Sequence, residues 1–256
     1  MANSILSSAP EIDYVEKAPA INAKEFQKVV DSRRSVRVFD GTPIPGNVMK
    51  RCLDNAILAP NSSNLQPWEF YHVKSPDKKA GLIKACLDQV AARTAAELVV
   101  VVARTATWKE NAREMLRIFA GAKQKVPKAA VSYYKKLVPF VYSMGPLGVF
   151  GLVKRLLFFI RGLKTPVIRE PVKKSHIKIW AVKSTALGAD NLMMSFRAYG
   201  FDSCPMEGYD SKRIKKLLGL PRDAVVVMVV AAGKRGKGGI YGERVRFDRS
   251  KFIKTV

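Results

Sequence analysis

The chain has 256 residues, 48% of them hydrophobic and 9% aromatic, with 45 Lys and Arg against 21 Asp and Glu for a formal charge of +24. Such a composition supports a sizeable core and excludes global disorder. Three isolated cysteines (Cys52, Cys86, Cys204) and two histidines (His72, His176) exclude a disulfide framework, a cysteine-rich zinc site and a histidine-based metal centre, so no metal is expected.

The N-terminal stretch MANSILSSAPEIDYVEKAP has neither a basic leader nor a long apolar run, so no signal peptide is expected and the expected location is cytoplasmic. Residues 1–23 read as an N-terminal extension. NAKEFQKVVD (22–31) reads as a helix capped by Asn22, with Phe26, Val29 and Val30 on one face. SRRSVRVFDGTPIP (32–45) is basic and ends in a Gly/Pro turn. GNVMKRCLDNAILA (46–59) has a helical apolar period.

APNSSNLQPWEF (59–70) then holds six turn-forming or amide residues where a turn needs one or two. WEFYHVK (68–74) alternates as a strand does. Ser75 and Pro76 open a helix reaching about residue 89, with Ser75 as its cap. AELVVVVAR (96–104) is a continuous β-branched run, expected to be a buried strand.

Residues 107–165 are the least regular, with a polar helix near 108–122, an amphipathic stretch at 128–138, and GPLGVFGLVKRLLFFIRGLK at 145–164. Between 123 and 178, thirteen lysines and arginines face one acid, Glu170, a surplus that attracts anions. A long helix follows from Ser175 to Tyr199. FDSCPMEGYD (201–210) is extended and then turns, and Asp210 caps a short helix ended by Gly219. DAVVVMVVAAGK (223–234) is a second buried strand. GKRGKGG (233–239) lacks a following helix and reads as a loop, and the tail is basic and partly alternating. Helices and strands mix along one chain around one sheet.

Taken singly, RRSVR (33–37) reads as a solvated charge run or an anion-facing segment, PMEG (205–208) as a turn. In strands, Arg33, Ser35 and Arg37 would share a face, as would Arg244 and Arg246, and paired guanidiniums suit a phosphate. Neither a GxGxxG nor a GxxxxGK[ST] motif occurs. The basic stretches lack interleaved aromatics, so no nucleic-acid partner is expected.

The set SRRSVRVFDGTPIP, APNSSNLQPWEF, a long central helix, CPMEGYD and a basic tail resembles the nitroreductase family of FMN-dependent oxidoreductases over roughly residues 24–250. The resemblance implies an α+β fold, a central mixed but mostly antiparallel sheet flanked by helices, in a homodimer. One FMN-binding domain would span 24–256, with a variable lid at about 105–175. Arg33 and Ser35 would hold the ribityl phosphate end, with Arg244 and Arg246 closing on it, Arg37 would meet the pyrimidine edge, and Arg34 belongs to the same cofactor-binding segment. Pro60, Asn61, Ser62 and Asn64 would reach the neighbouring subunit's flavin. Pro205, Met206, Glu207 and Gly208 would lie over the ring, with a backbone N–H of Glu207 or Gly208 facing N5. Gln89, with Arg93 beside it, is the candidate amide position.

The activity implied is hydride passage from NAD(P)H through flavin N5 to an electron-poor small-molecule acceptor: a nitroaromatic, quinone or enone. Two alternatives stay open: the same fold and flavin with dehalogenation or flavin fragmentation, and a basic membrane-surface protein without turnover. Residues 145–164 read first as an amphipathic cover over the flavin pocket, second as a segment making peripheral contact with anionic membrane.

Overall fold

The computed structural model describes residues 14–256; the expectations for residues 1–13, including most of the N-terminal extension, lie outside the described residues. The β-branched run forms β2 (Glu97–Arg104), buried at every position but its ends. It pairs antiparallel with β1 (Trp68–His72) on one side and β4 (Ala224–Gly233) on the other, and β3 (Asp202–Met206) closes the order β1-β2-β4-β3, also antiparallel. A bulge between Val101 and Val102 shifts the β2–β4 register, so that Val101 faces Met228 and Val102 faces Val226. Among the described residues the parallel element is a single bridge, Ser35 to Ser203.

Alternation along β2 builds two cores. Val99, Val101 and Ala103 pack under α2 (Gly46–Ala56) and α9 (Lys174–Ala198). Leu98, Val100 and Val102 face α3 (Pro76–Ala85), α4 (Val90–Thr94) and α10 (Ser211–Leu218). In α9 a Cβ on Gly188 would sit 2.9 Å from the Phe70 ring and 3.1 Å from the Ala56 carbonyl, so only glycine lets α9 lie this close to α2 and β1. Asn191 Nδ2 donates to the Asn55 carbonyl at 3.2 Å, and Asn55 Nδ2 to Ser195 Oγ at 3.1 Å, fixing the pair.

The expected helix starts hold at α1 (Ala23–Ser32), where Asn22 accepts from the amides of Lys24 and Glu25, and at α10, where Asp210 accepts from Lys212 and Arg213. Gly219 closes α10 in the left-handed conformation. Ser75 differs: Pro76 takes the first helical position, but the Ser75 hydroxyl makes no capping bond. That helix also ends early, at Ala85, because Leu87 and Asp88 turn left-handed (φ 58° and 52°).

Residues 105–175 fold as α5 (Trp108–Ala120), α6 (Lys128–Ser132), a π-turn (Tyr133–Leu137), α7 (Val138–Tyr142) and α8 (Val149–Gly162). Within α8, Lys154 is wholly buried. Its ammonium donates to the carbonyls of Phe140 (3.3 Å), Val141 (2.7 Å) and Pro171 (3.2 Å). All three N–H donors are therefore satisfied, which makes burial of the charge tolerable. Burial still pushes its pKa from the ordinary 10.5 down to about 8.

A stability signature follows. Between about 8 and 10.5 the unfolded chain holds a proton that the folded one has shed, so this residue's contribution to stability rises with pH across that window. Urea unfolding of wild type and Lys154→Met at about pH 7 and about pH 10 should show their difference moving toward the wild type by about 1–3 kcal/mol. A pH-independent difference would mean that the ammonium is not held in this low-polarity seat.

Candidate functional site

Residues 33–37 and 240–246 are not strands, so the shared faces that strand geometry would give Arg33, Ser35 and Arg37, and Arg244 and Arg246, do not arise that way. Residues 33–37 instead run beside β3 as an extended segment: Val36 N donates to the Ser203 carbonyl at 3.1 Å and Arg37 N to the Gly239 carbonyl at 2.7 Å. This brings the RRSVR segment against residues 240–246 from the far end of the chain. Together they line a cleft of about 400 Å³ that holds five guanidinium groups (Arg33, Arg34, Arg37, Arg244, Arg246) and one carboxylate, Glu243.

The arginines divide by what already holds them. Arg244 Nη2 donates to the carbonyls of Asp31 (2.7 Å) and Arg33 (2.6 Å), so it ties the tail to the end of α1. Arg34 Nη2 donates to the Gly242 carbonyl at 2.6 Å. Arg37 lies 5.2 Å over the Tyr241 ring. Arg246 donates only to its neighbour's carbonyl, Val245, and the Arg33 side chain makes no hydrogen bond or ion pair among the described residues. The buried Ser203 hydroxyl, on the residue bridged to Ser35, also has no partner among the described residues.

PMEG continues from this strand. Pro205 is half-buried and Met206 only 3% exposed, so the Met206 side chain belongs to the core and can meet a ligand through backbone alone. Glu207 and Gly208 are exposed. Gln89 Nε2 donates to the Gly208 carbonyl at 2.7 Å and to Cys86 at 3.0 Å, which fixes the turn from below. The left-handed Leu87 and Asp88 aim it there. Arg93 is exposed, with no hydrogen bond or ion pair of its side chain among the described residues. Burial pushes the Cys204 thiol pKa up, and the charges of Arg37 and Arg33 pull it partly back, which puts β3 and the basic cleft within one electrostatic neighbourhood.

The polar loop at 60–66 lies elsewhere: none of its residues lines the basic cleft. Ser63, Asn64 and Gln66 all adopt positive φ (59°, 44° and 42°), an unusual concentration for non-glycine residues. Asn61 offsets the strain, accepting from Gln66 N at 2.8 Å, and Asn111 Nδ2 donates to the Leu65 carbonyl at 2.7 Å. The hydroxyls meet tyrosines of the variable region. Ser63 Oγ lies 2.6 Å from Tyr133 OH, Ser62 Oγ 3.3 Å from Tyr142 OH, and Tyr134 OH donates to the Ser63 carbonyl at 2.8 Å. Pro60, Ser62 and Asn64 stay exposed.

Under this loop is a cavity of about 270 Å³ lined by Tyr133, Tyr142, Trp180, His176 and Lys183. The Tyr142 and Trp180 rings meet edge to face at 4.6 Å, and the buried Trp180 Nε1 has no partner among the described residues. An apolar cavity of about 560 Å³ between α7 and α8 shares Leu137, Val141 and Ile168 with it. Ser62 and Ser63 of the polar loop also line the first cavity; Ser62 alone is a residue the sequence marks, and the aromatic lining comes from the contact of α7 with α9 at Tyr142 and Trp180, not from spacing. Among the described residues no cluster of His, Cys, Asp and Glu could hold a metal.

A sequence model described as the nitroreductase family matches residues 30–234. The chain belongs to the nitroreductase family. Within it, the chain is similar to an NADH dehydrogenase of Thermus thermophilus, 25% identical over 218 residues that cover 85% of this chain and 90% of the relative. A candidate NAD(P)H nitroreductase of Bacillus subtilis is 27% identical over 231 residues, covering 89% and 97%. A candidate nitroreductase of Exiguobacterium sibiricum, solved in complex with FMN, superposes with a TM-score of 0.63 at 25% identity, covering 94% of this chain and all of that one. The α+β architecture built above is thus a nitroreductase fold.

The tyrosine clamp on the strained loop makes a direct prediction. Tyr133→Phe removes the 2.6 Å partner of Ser63. Amide exchange at 62–66 should quicken about 5- to 10-fold, the equivalent of roughly 1 kcal/mol, while exchange in β2 stays unchanged. Equal acceleration in the sheet would show a global effect instead.

Proposed function

We propose that the protein is an FMN-dependent NAD(P)H oxidoreductase that reduces an electron-poor, planar acceptor. The observation that carries this reading is the basic cleft: Arg33, with no side-chain bond among the described residues, and Arg246, bonded to the adjacent Val245 carbonyl alone, line it, and the segment 33–37 borders β3, which leads on to the Gly208 turn pinned by Gln89. This donor set fits a phosphate-bearing flavin, since guanidinium engages phosphate with two hydrogen bonds and the lone carboxylate leaves a strong positive excess. Bound FMN would supply two-electron hydride exchange between nicotinamide and acceptor.

The chain's residues then have distinct tasks. Arg33, Ser35 and Arg246 hold the phosphate end, while Arg34 and Arg244 brace the cleft through their carbonyl bonds. Arg37 offers positive charge to the pyrimidine edge, where negative charge builds on reduction. Pro205 and the backbone of Met206, Glu207 and Gly208 form the floor, kept in place by Gln89. The cavity under the polar loop receives the acceptor, and its Tyr142 and Trp180 rings suit a flat aromatic or quinonoid molecule.

A homodimer completes the site in this reading. Pro60, Asn61, Ser62 and Asn64 do not line their own chain's cleft, and the exposed Pro60, Ser62 and Asn64 leave this loop accessible to the flavin of a second copy. Phe26 and Val30 of α1, Ile57 and Leu58 after α2, and Leu187 of α9 supply exposed apolar surface for that contact.

Two measurements test the proposal. The purified protein should be yellow, elute as a dimer in light scattering, and oxidise NAD(P)H anaerobically when given a nitroaromatic or quinone. A colourless protein, or a flavin-loaded monomer, refutes it. In addition, Arg33→Ala and Arg246→Ala should each raise the FMN Kd about 10- to 100-fold, and Lys136→Ala, on the exposed lid surface, should leave it within about 2-fold. If the lysine variant loses flavin as readily, the cleft assignment fails.

A further inference from the structure

Helix α8 is inverted. On a wheel of about 100° per residue, its charged Lys154 points to the protein, together with Gly151 and half-buried Phe158. A Cβ on Gly151 would fall 2.4 Å from the Val172 carbonyl, so that side is seated without a gap. The opposite arc carries Leu152 (68% exposed), Leu156 (61%), Phe159 (59%), Ile160 (56%) and Leu163 (71%), and nothing among the described residues covers it. A helix whose lysine is inward and whose leucines face out is shaped for something other than water.

The charge around this face selects the occupant. Arg155, Arg161, Lys164, Arg169, Lys173 and Lys174 are all exposed, and Glu170 is the lone acid between residues 123 and 178. A second copy docking here would press like charge on like charge. An anionic lipid surface complements it, with leucine and phenylalanine in the acyl boundary and the cations at the headgroups. At 14 residues, α8 is about 21 Å long, short of the roughly 30 Å of a bilayer core, and it meets the preceding helical segment at 73°. No single helix among the described residues is long and apolar enough to cross a membrane. We propose that α8 lies in the plane of an anionic membrane surface and docks the protein there. The proposal stands independently of the flavin reading.

Co-sedimentation of the purified full-length protein with vesicles tests it. Phosphatidylcholine vesicles containing phosphatidylglycerol should bind the wild type, and pure phosphatidylcholine should bind it far less. Leu152→Glu and Leu156→Glu, at exposed positions outside every cavity lining described above, should each lower the partition coefficient at least about 10-fold. Raising salt from about 0.1 M to about 1 M should weaken binding, as the Debye length contracts from about 10 Å to about 3 Å. All three native cysteines are buried, so a fluorophore on Leu152→Cys reports this face alone; it should shift to the blue on anionic vesicles, whereas one on Lys216→Cys of α10 should not. This labelled pair decides the matter should a glutamate variant misfold. The proposal is overturned by absent vesicle binding, by equal binding to neutral and anionic vesicles, by glutamate variants that bind like wild type, or by an oligomer that Leu156→Glu dissolves while vesicles are ignored.

Discussion

Strand β2 has no face toward water. Val99, Val101 and Ala103 lie under α2 and α9, and Leu98, Val100 and Val102 under α3, α4 and α10. Every backbone group along it must therefore be paired within the sheet, which the β1 and β4 ladders accomplish. A sheet enclosed in this way has no room for polar side chains along its centre, and the chemistry is displaced to its margins. Asp202, at the start of β3, shows the rule: buried to 4% exposure, it is held by Arg235 at 2.8 and 3.1 Å and by Arg197 at 3.0 Å. Arg104, at the end of β2, pairs likewise with Glu69 and Asp223.

The functional geometry grows from those margins. β3 carries the chain from the Asp202 clamp, past the bridge to Ser35, to the exposed Glu207 and Gly208. The neighbouring basic segment needs no strand of its own, because backbone bonds to Ser203 and Gly239 fix it. Apart from Leu147 (φ 51°) before α8, the strained backbone of the described residues lies in two loops that this frame holds: 63–66, clamped by tyrosines, and 87–88, which positions Gln89. Both are places where preorganisation is useful and where the surrounding bonds can sustain it.

Positive charge serves two surfaces that the totals do not separate. One is the cleft, where guanidiniums stand around a concavity; the other is α8 and the segment after it, where exposed cations are neighbours in sequence of an apolar ridge. The first geometry suits a compact anion that can be enclosed, the second an extended one that can only be approached from one side. Lys154 belongs to neither, its charge being spent on three carbonyls that hold α8 to the body.

Periodicity and local chemistry were enough to place β2 and β4, the long helix α9, and the capped helices beginning after Asn22 and Asp210, because those elements are decided by burial pattern and by bonds between residues two or three apart. The joint presence of RRSVR, the 60–68 loop and PMEG was likewise legible as one family's set. The pairing of Arg33–Arg37 with residues 240–246 was not: no short-range pattern links segments some 200 positions apart, and the backbone bonds that hold residues 36 and 37 exist only once β3 is in place. Nor could spacing tell Arg244, engaged by two carbonyls, from Arg246, or reveal that Met206 faces the core. The orientation of α8 shows the limit most clearly. Its sequence is amphipathic either way round, and only the carbonyls of Phe140, Val141 and Pro171, gathered by the tertiary structure, decide that the lysine points in and the leucines out.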